Sequence, residues 1–130
     1  MLKKLYYRFI YNYYFDRFLN WWAWTFQNPY DLEMPNGQCP VQIEGQLMTG
    51  EYYYFRARGS QWSLSIAEKE MDVVMIKERL FNYKEKYGKT FEAGWMLKRE
   101  AIKFATQAID KYYTEQITTE PSYFNVRDGL

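Results

Sequence analysis

Three consecutive stretches between residues 41 and 67 alternate strictly between apolar and polar side chains. A period of two is typical of half-buried β-strands, because successive side chains of a strand point to opposite faces. The pattern predicts an antiparallel meander with one buried and one polar face. The buried face comprises Val41, Ile43, Tyr53, Phe55, Ala57, Trp62, Leu64 and Ile66. The polar face comprises Gln42, Glu44, Gln46, Tyr52, Tyr54, Arg56, Arg58, Ser63 and Ser65.

Two glycine-containing turns fix the register of this meander. A two-residue loop at 59–60 sets Phe55 opposite Leu64, so that both lie on the buried face. A three-residue loop ending at Gly50 sets Ile43 opposite Phe55, whereas a two-residue loop would mix the faces. We therefore expect a bulge at Gly50, with the glycine in the left-handed conformation.

Helical periodicity is found on both sides of the meander. In residues 1–26 the polar positions recur at every fourth residue, which predicts a helix with one narrow polar stripe and a wide aromatic arc. Residues 27–40 are predicted to form an irregular connection. Residues 97–113 carry one apolar stripe, rich in alanine, and predict a closing helix packed on the sheet. Residues 114–130 are predicted to be a loose tail.

The segment between the meander and the closing helix has two interpretations. The apolar run 73–76 is either a short strand or the first turn of a helix that continues over 78–87 and ends at Gly88. The sequence thus predicts one soluble α+β domain over residues 1–130. Its architecture is a three- to four-stranded antiparallel β-meander packed against an N-terminal aromatic helix and a C-terminal helix.

Composition narrows the possible chemistry. The chain has no histidine, so the commonest general base and zinc ligand are missing. Cys39 is the only cysteine, and we expect a buried or half-buried thiol without a catalytic role. Glu68, Glu70 and Asp72 could serve a carboxylate-based enzyme by residue type alone, although a solvated charge run is the usual explanation. We therefore expect no enzymatic activity, no metal and no cofactor.

Location follows from the same features. The N-terminal apolar run is interrupted by charged and amide side chains and lacks a small-residue cleavage site, so we expect neither a signal peptide nor a membrane span. A chain without disulfides fits the cytoplasm. The net charge of +1 gives no overall attraction to polyanions, so nucleic-acid binding would need a local patch.

The polar face of the meander is the candidate binding face, formed by Tyr52, Tyr54, Arg56 and Arg58 beside Glu44. It has three interpretations. The aromatic helix could cover it, with Glu44 paired diagonally with Arg56. It could bind a protein, because tyrosine and arginine are favoured interface anchors. It could bind single-stranded nucleic acid, with bases stacked on the rings.

The aromatic helix is the second candidate. We expect it to pack on the sheet or in a homo-oligomer, with a partner-binding surface as the alternative. Membrane binding is disfavoured because its polar stripe is narrow and only modestly basic.

Several short motifs resemble a group of small uncharacterised proteins of bacteria and their phages. They are C-P-V-Q-x-E-G at Cys39–Gly45, Y-F-R-A-R-G at Tyr54–Gly59 followed by Trp62, and E-A-x-W-M at Glu92–Met96. The resemblance covers residues 39–113 and implies no activity and no functional residues. The leading hypothesis is a non-enzymatic protein that docks on a partner protein, as a phage or mobile-element inhibitor of a host system would.

Overall fold

The computed structural model describes residues 2–70, 79–88 and 92–118. The four strands of these residues form one antiparallel sheet in sequential order. One helix packs on a face of the sheet and the other helix packs on the first, giving three layers and confirming the α+β fold. The elements are helix α1 (Leu2–Phe26), strands β1 (Val41–Gln46), β2 (Tyr52–Arg58), β3 (Gln61–Ala67) and β4 (Arg79–Lys86), a 3₁₀ turn (Ala93–Trp95) and helix α2 (Lys98–Thr118).

The predicted register of the meander is confirmed. Phe55 pairs with Ile43 of β1 and with Leu64 of β3. The first turn is the three-residue loop, closed by a hydrogen bond from the Leu47 amide to the Glu51 carbonyl, and Gly50 has a φ of 104°. Only glycine adopts this conformation without strain, so the turn and the alternation agree on one register.

Trp62 lies at the centre of the core, with only 2% of its surface exposed. Its ring contacts Phe55 of β2, Tyr83 of β4 and Phe104 of α2, with centroid separations of 5.5, 5.6 and 5.4 Å. One side chain therefore joins three elements of the core. The small side chains of α2 that face the sheet, Ala101, Ala105 and Ala108, are buried and allow the helix to approach closely.

Two predictions about the C-terminal half need correction. Residues 79–86 form strand β4 and not part of a helix, and β4 pairs with β3 from Ala67 to Gln61. The apolar run 73–76 lies outside the described residues. The closing helix continues to Thr118, so residues 114–118 are helical and do not belong to a loose tail. Residues 119–130 lie outside the description.

Helix α1 has the predicted bounds, but the prediction that it packs on the sheet is wrong. Packing in a homo-oligomer stays a prediction. Helix α1 packs on α2, on the side of α2 that faces away from the sheet. The Arg99 guanidinium donates to Asp16 Oδ1 at 2.6 Å and to Asn20 Oδ1 at 3.0 Å. At the end of α1, the Trp24 indole donates to the Leu32 carbonyl. The sheet is not in position to receive α1, because α2 already covers its inner face.

The connection 27–40 is irregular, as predicted, and hydrogen bonds join it to β2 and to the 3₁₀ turn. The buried Tyr53 hydroxyl accepts a hydrogen bond from the Glu33 amide, and the Cys39 amide donates to the Gly94 carbonyl. Cys39 itself is exposed, which corrects the expectation of a buried thiol. A Cβ at Gly94 would lie 2.8 Å from Cys39 Sγ, so glycine is required for this contact.

Replacing Trp62 with alanine should lower the free energy of unfolding by roughly 3–5 kcal/mol, because the variant leaves a cavity between three elements. Urea denaturation followed by circular dichroism measures the change. Trp95→Ala is the matched control: this ring is 60% exposed, and we expect a change within about 0.5 kcal/mol. Equal effects of the two substitutions would contradict the placement of Trp62 at the centre of the core.

Stability should also fall between pH 10 and pH 12. Burial raises the pKa of Tyr53 to about 12, although the Glu33 amide opposes the shift, and burial raises the pKa of Tyr87 and Tyr112 to about 12 as well. A folded-state pKa above the unfolded value of about 10 means that folding favours the protonated phenol. This stabilisation is complete below pH 10 and is lost as the pH rises towards 12. Urea midpoints across this range measure the loss, and Tyr53→Phe should make the decline shallower.

Candidate functional site

The structure brings the predicted binding face together. Tyr52, Tyr54, Arg56 and Arg58 alternate with core residues along β2 and therefore point to the outer face of the sheet. Both arginines are exposed, whereas both tyrosines are half-buried. The Tyr54 hydroxyl donates to Gln42 Oε1 at 3.1 Å. Glu44 is exposed and lies opposite Tyr54 on β1.

The interpretation in which the aromatic helix covers this face is wrong. Helix α1 lies beyond α2, on the other side of the sheet. Glu44 and Arg56 are both described, and they form no ion pair with each other. The outer face therefore carries exposed arginines that form no ion pair with any described carboxylate.

Sequence reasoning missed two cationic residues of this face, Arg79 and Lys84. Both lie on β4, where Arg79 pairs with Ala67 and Lys84 pairs with Ser63. They could not be assigned to a face while residues 78–87 were open to a helical interpretation. The alternation of Phe81 and Tyr83 with polar neighbours was the signal that could have revealed the strand.

The outer face contains a concave depression of about 360 Å³, which we call the basic trough. Arg79 is half-buried, its Nε atom makes no hydrogen bond with any described protein group, and burial lowers its pKa. A guanidinium in this condition is stabilised by an incoming anion. The described residues that line the trough are Tyr54, Arg56, Arg58, Gly59, Gln61, Ser63, Ser65, Arg79 and Lys84.

A second surface lies on α1. Seven large rings of this helix are between 38% and 65% exposed. Because they recur at three- and four-residue spacing, they form one continuous stripe. Neighbouring rings contact each other, as in the stacked pair Tyr11 and Phe15, with centroids 5.7 Å apart. This aromatic face comprises Tyr11, Tyr14, Phe15, Phe18, Trp21, Trp22 and Phe26.

A groove of about 670 Å³ runs beside the aromatic face, between α1 and α2. Its apolar side chains include Leu19, Trp22 and Ile102, and Lys103 stands at its edge. The buried hydroxyl of Thr106 also lines the groove and has no protein hydrogen-bond partner. The groove therefore offers an apolar floor with a single unsatisfied polar group.

The positions of the acidic residues give little support to a catalytic or metal-binding role. Glu68 and Glu70 are exposed, and Asp72 lies outside the described residues. Within residues 2–70, 79–88 and 92–118, no three acidic or cysteine side chains are placed to share a metal ion. None of the helices in these ranges is long and apolar enough to cross a membrane.

In comparisons with known proteins, no family model, curated protein or solved structure matches this chain.

The attachment of α1 to α2 should depend on Arg99. Arg99→Ala removes the guanidinium's hydrogen bonds to Asp16 and Asn20 but keeps the bond from its backbone amide to Asn20 Oδ1, and we expect faster amide exchange along residues 10–26. The free energy of unfolding should fall by only about 1 kcal/mol, because the ion pair is partly exposed. Lys98→Ala, an exposed position on the same helix that does not line the groove between the two helices, is the control. Unchanged exchange in the Arg99 variant would contradict an anchoring role.

Proposed function

We propose that this protein is a non-enzymatic docking protein that binds a partner protein through the aromatic face of α1 and the adjoining groove. The observation that carries the proposal is the exposure of seven large rings on a helix attached to the domain along its opposite side. Monomeric proteins rarely expose continuous apolar patches of this kind unless the patch has a binding role.

The energetics of the aromatic face favour binding. Burying one large ring contributes roughly 1.5–3 kcal/mol, so a few central rings can supply much of an interface's affinity. Tryptophan and tyrosine are also the residues most enriched among interface anchors. Phe18 and Trp21 lie at the middle of the described part of the face and contact each other, with centroids 6.0 Å apart. They are the expected anchors.

The groove favours a protein as the occupant. A concave apolar groove next to a helix takes a projecting helix or extended segment, whereas a flat membrane surface would reach only the ridge of rings. Lys103 lines the groove, is exposed and forms no ion pair with a described residue, so it can meet an acidic side chain. The fitting partner presents an apolar ridge flanked by acidic residues.

The resemblance of residues 39–113 to small proteins of bacteria and their phages supports a partner from a bacterial host system, which the docking would inhibit or assemble. The α1 surface lies outside the resembling segment. The choice of partner would therefore depend on the aromatic face, which is not part of the resemblance.

Replacing Phe18 and Trp21 with serine should abolish partner binding without unfolding the domain, because both rings are exposed. A photo-crosslinking residue at position 14, introduced into the wild-type chain and into the double variant, would report contact with the partner in a bacterial lysate. We expect a discrete cross-linked product that is lost in Phe18→Ser/Trp21→Ser and is retained in Trp95→Ser, which removes an exposed ring elsewhere.

Two parallel measurements separate the other possible occupants of the aromatic face. Sedimentation of the purified protein would detect a second copy, and flotation with phosphatidylserine vesicles would detect a lipid surface. The proposal expects a monomer that does not float. Self-association or vesicle binding lost in the same double variant would overturn it, as would a cross-link that survives both serine substitutions.

A further inference from the structure

The basic trough has a regular arrangement set by strand register. Ser63 of β3 lies between Arg56 on β2 and Lys84 on β4, each one strand away. Neighbouring strands are about 4.8 Å apart, so the two cations flank a small polar residue at the centre. Ser65 and Gln61 continue the floor along β3 in both directions. The trough is therefore an elongated channel with a polar floor and cationic walls.

The positive charge of the trough is local, and no described carboxylate compensates it. Four cationic side chains line it, and no acidic residue is among its described lining. None of the four forms an ion pair with a described residue. The whole chain has a net charge of only +1, so this concentration of positive charge is specific to the outer face. A concave surface of one sign focuses its field and attracts an anion to that place.

The spacing along the strand favours an extended anion over a single small one. Arg56 and Arg58 are two residues apart on β2 and project from the same face, roughly 6.7 Å from each other. This separation is comparable with that of consecutive phosphates in an extended nucleic-acid strand. The half-buried ring of Tyr54 lies beside the arginines on the same strand and offers an aromatic contact for a base.

We infer that the basic trough binds single-stranded nucleic acid, with Arg56, Arg58 and Lys84 contacting phosphates along the channel. Arg79 stands at the other end of the trough and adds a fourth cationic side chain to its lining. The floor of the trough is only as wide as strand β3, which suits one nucleic-acid strand better than the broad surface of a duplex. This site lies on a different layer from the aromatic face and does not depend on the docking proposed there.

Fluorescence anisotropy with a labelled oligothymidylate tests the inference directly. Binding should weaken steeply between about 50 and about 200 mM salt, because phosphate contacts release counterions. Arg56→Ala/Arg58→Ala should weaken binding at least about tenfold, since each lost bond joins two charged groups. It should also make the slope of log affinity against log salt shallower by roughly 1.4, or 0.7 for each phosphate contact.

The control variant is Lys98→Ala/Lys103→Ala, which removes the same charge from exposed positions on α2. It should leave the affinity nearly unchanged, as should Phe18→Ser/Trp21→Ser. Circular dichroism would verify that each variant is folded. The comparison probes are a duplex of matched length, poly-glutamate and phosphatidylserine vesicles, and each should bind more weakly than the single strand.

Three results would overturn the inference: no binding of oligothymidylate at low salt, an equal loss in the α2 control, or a comparison probe that binds as tightly as the single strand. The two proposals fail separately. The cross-linking result at position 14 tests only the docking proposed for the aromatic face. The oligothymidylate binding measured by anisotropy tests only the basic trough.

Discussion

The packing of α2 on the inner face of the sheet is the contact on which the rest of the structure depends. Trp62 fills the space between the two layers, and the alanines of α2 let the helix approach the strands closely. Helix α2 covers the inner face together with the 3₁₀ turn, which contacts β1 and β2, so the outer face of the sheet and the back of α2 remain for other contacts. The outer face of the sheet is left polar, and α1 packs on α2 instead of on the sheet.

Helix α1 accordingly forms a third layer on the back of α2. Asp16 and Asn20 of its polar stripe accept hydrogen bonds from Arg99 there, and Ala23 is buried. The aromatic arc is wider than this contact can bury, so the rings on the opposite side remain exposed. The described domain therefore has more aromatic side chains than its core and helix contacts bury. An exposed surface of this composition is suited to binding.

The two candidate surfaces lie on the two outer layers. The aromatic face belongs to α1 and the basic trough to the outer side of the sheet, with α2 and the core between them. One is apolar and nearly uncharged, and the other is cationic and polar. Because the surfaces share no residue, a partner on one leaves the other accessible, and substitutions can test each of them alone.

The sequence by itself determined the meander, its register and the bounds of α1. Alternation and glycine turns are local constraints, and a register that satisfies Gly50, Ile43 and Phe55 at once leaves no competing pairing. The binding-face residues of β2 followed from the same alternation. Strand β4 did not, because Leu80, Tyr83 and Tyr87 also fit a helical spacing and only pairing with β3 selects the strand. The location of α1, and with it the openness of the outer face, was likewise decided by tertiary structure. Which apolar face is buried depends on how distant elements pack together, and no local pattern encodes that packing.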